Sequence, residues 1–335
     1  MTTSHSAYSL PDSLPSTVDR PDGMLERPVF LVGSERSGTT LLRLMLDHHP
    51  QIAFFFEFQY AVSMMPDTTG WPDLKAYREF CENDRIFRDT RLKFDESLDY
   101  PHLIDSFLRQ KQLRDGKPLV GAVVHYQFDR LLRIWPDARF IHLVRDGRDV
   151  ARSVITNGLA GNMYTAAQTW MKAETLWSSF ARELPADRWT AVRYEDLVTK
   201  PETILTHICE FIGVAYDPAM LEYSKDSTYE APSPARMYQW KTRLNPDEIR
   251  LAEARIGSLL VERGYERSDY APLEVSLPAK IRLHIQDRLY RISFRRRKYG
   301  TRLWLAKAVA RRLRLHSWQK ALQRRIDAID ERHLK

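Results

Sequence analysis

The sequence predicts an α/β domain, a central parallel sheet flanked by helices, followed by a basic helical tail. Three observations predict it. Short apolar runs alternate with stretches of helical spacing, the order expected of strand–helix–strand units. The runs PVFLVG and ARFIHLV are apolar throughout rather than at alternate positions, as in strands of a buried parallel sheet. Charge is segregated: the net balance of the 335 residues is +7, but residues 280–335 hold 18 Lys and Arg against 4 Asp and Glu, so the remainder carries a balance of −7.

The elements follow in order. Residues 1–26 are rich in Ser, Thr, Pro and Asp without periodicity and are predicted to be a disordered lead-in. Pro28–Gly33 reads as the first buried strand. Gly38–His49 then places Leu41, Leu42, Met45 and Leu46 on one helical face, and Pro50 ends it. Residues 60–117 are mixed, polar and charged, with helical fragments; an insertion in this position is expected to select the acceptor. Ala138–Asn157 forms a second unit, in which RDG makes the turn and RDVARSVITN the helix. Trp189–Arg193 reads as a third strand and YEDLVTKP as a loop. Pro201 opens a helix with Ile204, Leu205, Ile208 and Phe211 behind it. Asn245-Pro246-Asp247-Glu248 opens another, running to about Arg263 and stopping at Gly264. The expected organisation is one domain over residues 27–275 with an amphipathic basic tail over 276–335.

Composition excludes several classes. No apolar run approaches the roughly 18–20 residues that span a bilayer, and the N-terminus lacks the basic start and apolar stretch of a secretory signal. Two cysteines, Cys81 and Cys209, exclude a disulfide scaffold and a Cys-rich zinc site and fit a reducing, cytoplasmic setting. A single disulfide between them stays open. His48 and His49 are adjacent and point apart on a helix, and no HExxH spacing occurs, so no metal is expected. A uniform nucleic-acid binder would not combine an acidic body with a basic tail. The tail itself, with RLYRISFRRRKYGTRLWLAKAVARRLRL at its centre, suits an interfacial helix on an anionic membrane surface, or a helix packed on the body or on another copy.

The turn after the first strand reads Gly33-Ser34-Glu35-Arg36-Ser37-Gly38-Thr39-Thr40. Its G-x-x-x-x-G spacing is that of a nucleotide P-loop: glycines let backbone N–H groups converge, and the following helix turns its positive end toward an anion. This narrows the fold to one resembling the P-loop nucleotide-binding type. Thr39 stands where an NTPase has its lysine, and the cation sits inside the loop at Arg36. Phosphoryl transfer as in a P-loop kinase is therefore disfavoured. An arginine in the loop suits a two-centred anion on a 5′ ribose position. A turn that merely caps a helix is the plainer alternative.

Val32–Thr40 followed by LLRLMLDHHP resembles the 5′-phosphosulfate loop of the sulfotransferases that use 3′-phosphoadenosine-5′-phosphosulfate (PAPS), in particular the tyrosylprotein sulfotransferases and related bacterial enzymes. The resemblance covers about residues 28–60 and 118–215. It implies that Ser34, Arg36, Ser37, Gly38, Thr39 and Thr40 hold the phosphosulfate of PAPS. It also implies a 3′-phosphate site at Arg145 and Ser153, within VRDGRDVARS at a strand end. Weak surface ion pairs among Arg145, Arg148 and Asp149 are the structural alternative. Tyr194 matches a position near the adenine. Arg236 and Lys241, in SPARMYQWKTR, resemble a loop that folds over the nucleotide and brings cations to the 3′-phosphate.

The implied reaction is in-line sulfuryl transfer to a hydroxyl-bearing acceptor, without a covalent enzyme intermediate. Arg36 and the loop N–H groups are expected to stabilise charge. Glu57, 21 residues after Arg36 in FFFEFQY, matches a carboxylate base, and the surrounding phenylalanines are expected to desolvate it and strengthen it. His125 in GAVVHYQ is the rival base. Val123 and Val124 replace the Lys and Thr that precede a base histidine in the small-molecule branch, so that branch's assisting lysine is missing. A catalytically idle nucleotide- or membrane-binding protein of the same fold is the other-class alternative.

Overall fold

The computed structural model describes residues 23–334; most of the lead-in expected at 1–26 lies outside them. Five strands form one sheet: β1 (Val29–Val32), β2 (Ile52–Glu57), β3 (Leu119–Val124), β4 (Arg139–Val144) and β5 (Trp189–Arg193). Their order is β2-β3-β1-β4-β5, and every pair is parallel. Side chains alternate between two apolar layers. Val29 and Leu31 face the layer built on helix α1 (Thr39–His48). Phe30 and Val32 face the opposite layer, which holds helix α2 (Tyr100–Asp115) with Phe107. Burial on both faces is why these strands read as unbroken apolar runs.

Later helices include α3 (Gly147–Thr156), α4 (Met163–Ala181), α5 (Tyr194–Thr199), α6 (Pro201–Ile212), α7 (Pro246–Glu262), α8 (Leu277–Tyr299), α9 (Thr301–Arg312) and α10 (His316–Leu334). Asn245 and Glu248 close a capping box at the start of α7, and Gly264, at φ 77°, follows its end. Segment 194–199, expected as a loop, is a helix. Tyr194, Glu195, Leu197 and Val198 bury one side of it, and that long-range packing overrides its local polarity. The stretch 60–117 resolves into short helices, with Asp73, Asp84 and Asp99 accepting N–H bonds as N-caps. Cys81 and Cys209 are separate buried thiols, so the disulfide left open by the sequence is not formed. Burial pushes them up to about 12 and about 11 respectively.

Because all five strands are parallel, their carboxyl ends share one edge. The chain leaves β1 toward the α1 layer. It leaves β3 toward the opposite layer, through the 3-10 helix Phe128–Arg133, whose Phe128 and Leu131 are core residues there. Adjacent strands with diverging exits open a crevice at that edge, the position where open α/β sheets bind ligands.

Candidate active site

The predicted site segments at 33–40, Glu57, His125, Arg145–Ser153 and Tyr194 all begin at this edge. The turn after β1 passes so close to β4 that a Cβ on Gly33 would lie 2.3 Å from the Leu143 carbonyl oxygen. Arg36 adopts φ 69° and Gly38 φ 99°. Positive φ within such a turn lets successive N–H groups face one concavity. Ser34, Ser37 and Thr39 are buried, Thr40 is half-buried, and the Arg36 side chain is exposed. The Ser37 hydroxyl is buried without a hydrogen-bond partner, an orphaned polar atom in the turn itself and one that an anion would satisfy.

Gly38 is also a steric requirement. A Cβ there would stand 2.4 Å from Cδ2 of Tyr194, at a φ that L-residues avoid. Gly38→Ala is expected to cost about 1–3 kcal/mol of stability and to displace the tyrosine. A urea titration with near-ultraviolet dichroism checks this; an unchanged midpoint and spectrum would remove the assignment.

The second segment meets the first directly. Arg36 Nε donates to Ser153 Oγ on α3 at 3.1 Å. Arg145, at the end of β4, donates to the Arg36 carbonyl at 3.5 Å and to the Arg236 carbonyl at 2.7 Å. Its guanidinium lies 4.3 Å from the Tyr194 ring centroid and 3.6 Å from Asp149. Its Nε is buried without a partner. Burial raises the Tyr194 hydroxyl above its ordinary value, with the Arg145 charge opposing.

The alternative of weak surface ion pairs among Arg145, Arg148 and Asp149 does not hold. Arg148 is 1% exposed, bonded to Asp146 at 2.7 Å and Glu253 at 2.6 Å, with Trp240 stacked 3.5 Å away. Asp149 is buried and accepts the Trp240 N–H at 2.8 Å. The turn between β4 and α3 is thus braced from below by a buried network, and Arg145 stands above it.

The loop carrying Arg236 and Lys241 is pinned over α3 by those Asp149 bonds and by Arg152, which donates to Gln239 at 2.8 Å. It brings a carbonyl of Arg236 to Arg145. The Arg236 guanidinium pairs with Glu230 at 3.0 Å, and the Lys241 ammonium lies 5.3 Å from the Tyr238 ring. The loop meets Arg145 through the Arg236 backbone carbonyl rather than through either cation, because Asp149 holds the chain at residues 239–240.

The candidate bases sit at the ends of β2 and β3. The register shifts between Phe55 and Glu57, a bulge opposite Ala122 and Val123. Glu57 is exposed, while Phe54, Phe55 and Phe58 are buried. The expected desolvation of Glu57 is therefore corrected: the phenylalanines turn inward and leave the carboxylate in water. His125 is half-buried. Its Nδ1 lies 3.0 Å from the Gly33 carbonyl. A carbonyl only accepts, so Nδ1 carries the proton, and in the neutral ring Nε2 holds a lone pair.

Gln59 was not singled out by sequence. It is buried; its Oε1 accepts the His125 N–H at 2.9 Å, and its Nε2 donates to the Tyr126 carbonyl at 2.8 Å. It fixes the chain that presents His125. A lone glutamine among aromatic residues gives no local signal of such a role. His48 and His49 are engaged elsewhere, with carbonyls of Leu44 and Ala215. Among the described residues no group of three or more His, Cys, Asp or Glu is arranged around a metal position.

The site and sheet define a class. The profile described as the sulfotransferase family matches residues 28–218, more than half of the chain, and the chain belongs to that family. It is 28% identical over 212 residues to protein-tyrosine sulfotransferase 2 of Gallus gallus, covering 59% of this chain and 54% of that one. It is 29% identical over 209 residues to protein-tyrosine sulfotransferase 1 of Danio rerio, covering 59% and 56%. The chain thus spans about half the length of these curated relatives. Among solved structures it is similar to the sulfotransferase domain from the curacin biosynthetic pathway, with a TM-score of 0.51 and 20% identity, over 73% of this chain and 100% of that one. At that identity the likeness shows the fold.

Proposed function

We propose that the protein is a PAPS-dependent sulfotransferase acting on a hydroxyl-bearing acceptor, with residues 27–275 as its catalytic domain. The observation that carries this is the 3.1 Å bond between Arg36 and Ser153. It joins a P-loop-like anion turn to a second Arg/Ser segment in one crevice, as a ligand with separate 5′ and 3′ anions requires. The residues fit such a ligand. The Ser37 hydroxyl and Arg145 Nε are buried without partners, and the turn leads into the N-terminus of α1 at Thr39. Residues 34–40 would hold the 5′ side, Arg145 and Ser153 the 3′-phosphate, and Tyr194 the wall between them. The donor, when bound, supplies a sulfuryl group on an already activated leaving group.

The chain's own work is then to orient, to neutralise charge and to accept a proton. Arg36 and the loop N–H groups face developing negative charge. Glu57, solvated and on the same sheet edge, takes the acceptor proton. The tautomer imposed on His125 by Gly33 favours a second reading, in which Nε2 is the base. Glu57→Gln and His125→Ala separate them. With Glu57 as base, Glu57→Gln lowers kcat by about 10²–10⁴-fold, and His125→Ala leaves it near wild type. A loss of that size in His125→Ala, with Glu57→Gln near wild type, transfers the role to the histidine.

Calorimetry tests the ligand itself. Adenosine 3′,5′-bisphosphate is expected to bind and ATP not to. The converse result would favour the kinase alternative, and binding without turnover of labelled PAPS on any acceptor the idle-protein alternative. A cytoplasmic setting, or one peripheral to a membrane, is the location this reading carries; among the described residues no helix is long and apolar enough to cross a membrane.

A further inference from the structure

The basic tail supplies an inference independent of the transfer reaction. Helix α8 has two opposite faces. Its inner face is fixed on the body just beyond the Ser153 helix. Asp287 accepts the Gly161 N–H at 2.7 Å and the Thr165 hydroxyl at 3.1 Å. The Leu283 carbonyl accepts from Asn162 at 2.8 Å, and Phe294 packs directly on Gly158. At about 100° per residue, the side opposite these contacts carries Leu277, Ile281, Ile285 and Leu289, spaced by four. They are 71%, 54%, 56% and 62% exposed. Four large aliphatic side chains in one exposed row are more than scattered surface residues and mark a covered face.

The charges around that row identify what covers it. Arg282, Arg288, Arg295 and Arg296 fall on the same outward half and are exposed. The helix has 8 Lys and Arg and a single acidic residue, Asp287, and that carboxylate is only 7% exposed on the inner face. The outward face therefore presents apolar groups and positive charge with no carboxylate among them. Helix α9 and the Leu313 that caps it repeat the arrangement, with exposed Leu305, Val309 and Leu313 beside Arg302 and Arg312. A second copy pairing through this same face would oppose arginines to arginines. Among the described residues no helix meets the length and apolarity of a span, and an exposed aliphatic row flanked by arginines is the pattern of a helix lying in an interface.

We propose that the outward face of α8, extended by α9, docks on an anionic lipid surface. The aliphatic row enters the headgroup boundary, and the flanking arginines meet lipid phosphates and carboxylates. The inner face stays on the body, so docking holds the catalytic domain against the membrane without unfolding the tail.

The test is vesicle co-sedimentation of the full chain, with phosphatidylcholine alone and with phosphatidylcholine mixed with phosphatidylglycerol. Wild type is expected to sediment with the mixed vesicles, weakly with neutral ones, and less as salt rises. Ile281→Asp/Leu289→Asp and Arg282→Glu/Arg288→Glu are each expected to lower the partition by at least about tenfold. Thermal melts should match wild type, because the substituted side chains are exposed. Equal recovery of wild type in the supernatant with both vesicle types overturns the proposal. So does sedimentation that neither double variant reduces. A dimer in solution that Ile281→Asp/Leu289→Asp dissolves, without vesicle binding by wild type, assigns the face to a second copy instead.

Discussion

Arg36→Ala is expected to lower kcat/KM for sulfuryl transfer by about 10²–10³-fold, the loss typical of removing one preorganised donor to developing negative charge. The guanidinium is the only cation inside the turn. It is exposed, so its loss should leave the unfolding midpoint nearly unchanged, and the effect will read as chemistry rather than folding. Two companions separate charge from backbone. Arg36→Lys keeps a positive charge but not the planar fork, and should recover only part of the rate. Arg36→Gly keeps the positive φ of 69° at no steric cost, so any rescue relative to alanine measures backbone strain. Steady-state assays with labelled PAPS, and calorimetry with adenosine 3′,5′-bisphosphate, provide the readouts. If Arg36→Ala retains wild-type kcat/KM, the charge-stabilising role is wrong.

The second large effect is on stability. Glu174→Ala is expected to destabilise the fold by about 3–5 kcal/mol, because it leaves buried charge uncompensated. Glu174 is fully buried on α4. Its carboxylate lies 3.2 Å from His142 Nε2 and 2.6 Å from Arg263 Nε, tying β4 to the residue that ends α7. Arg263 also donates to the Glu174 carbonyl at 2.8 Å and to Ser178 at 2.6 Å. Burial alone would raise the carboxyl; His142 and Arg263 together outweigh it and hold it below its ordinary value. A depressed folded value means the stabilisation is present above the unfolded value of about 4.3 and is lost as pH falls through the lower folded one. The gap between wild type and Glu174→Gln in urea midpoint should therefore be widest near neutral pH and close in acid. A gap that stays constant, or widens in acid, contradicts the pairing.

How much of this was legible in the chain depends on range. The turn at 33–40 announces itself because a buried strand, an anion-suited loop and an amphipathic helix are contiguous. Each is written in local spacing, and the helix starts at Thr39 beside the glycine that caps it. The turn after β4 is readable for the same reason, as are the proline and capping-box starts of α6 and α7. Glu57 shows the limit. Its phenylalanine neighbours suggest burial, but whether a residue between buried aromatics points in or out turned on a one-residue bulge against β3, whose partner residues lie about 65 positions away. Arg148 errs in the opposite direction. It looks like a surface charge, yet Glu253, 105 residues on, makes it a buried one.

By itself, then, the chain determined the alternating architecture, the anion turn with its displaced cation, the second Arg/Ser segment and the separation of an acidic body from a basic tail. These follow from periodicity, backbone sterics and charge, which act over a few residues. Only the tertiary structure decided that Arg36 reaches Ser153, that Gln59 carries His125, that Glu57 stays in water and that α8 turns its aliphatic row outward. Burial and hydrogen-bond partnership are set by which distant segments the parallel sheet brings to one edge, and no local pattern encodes that distance.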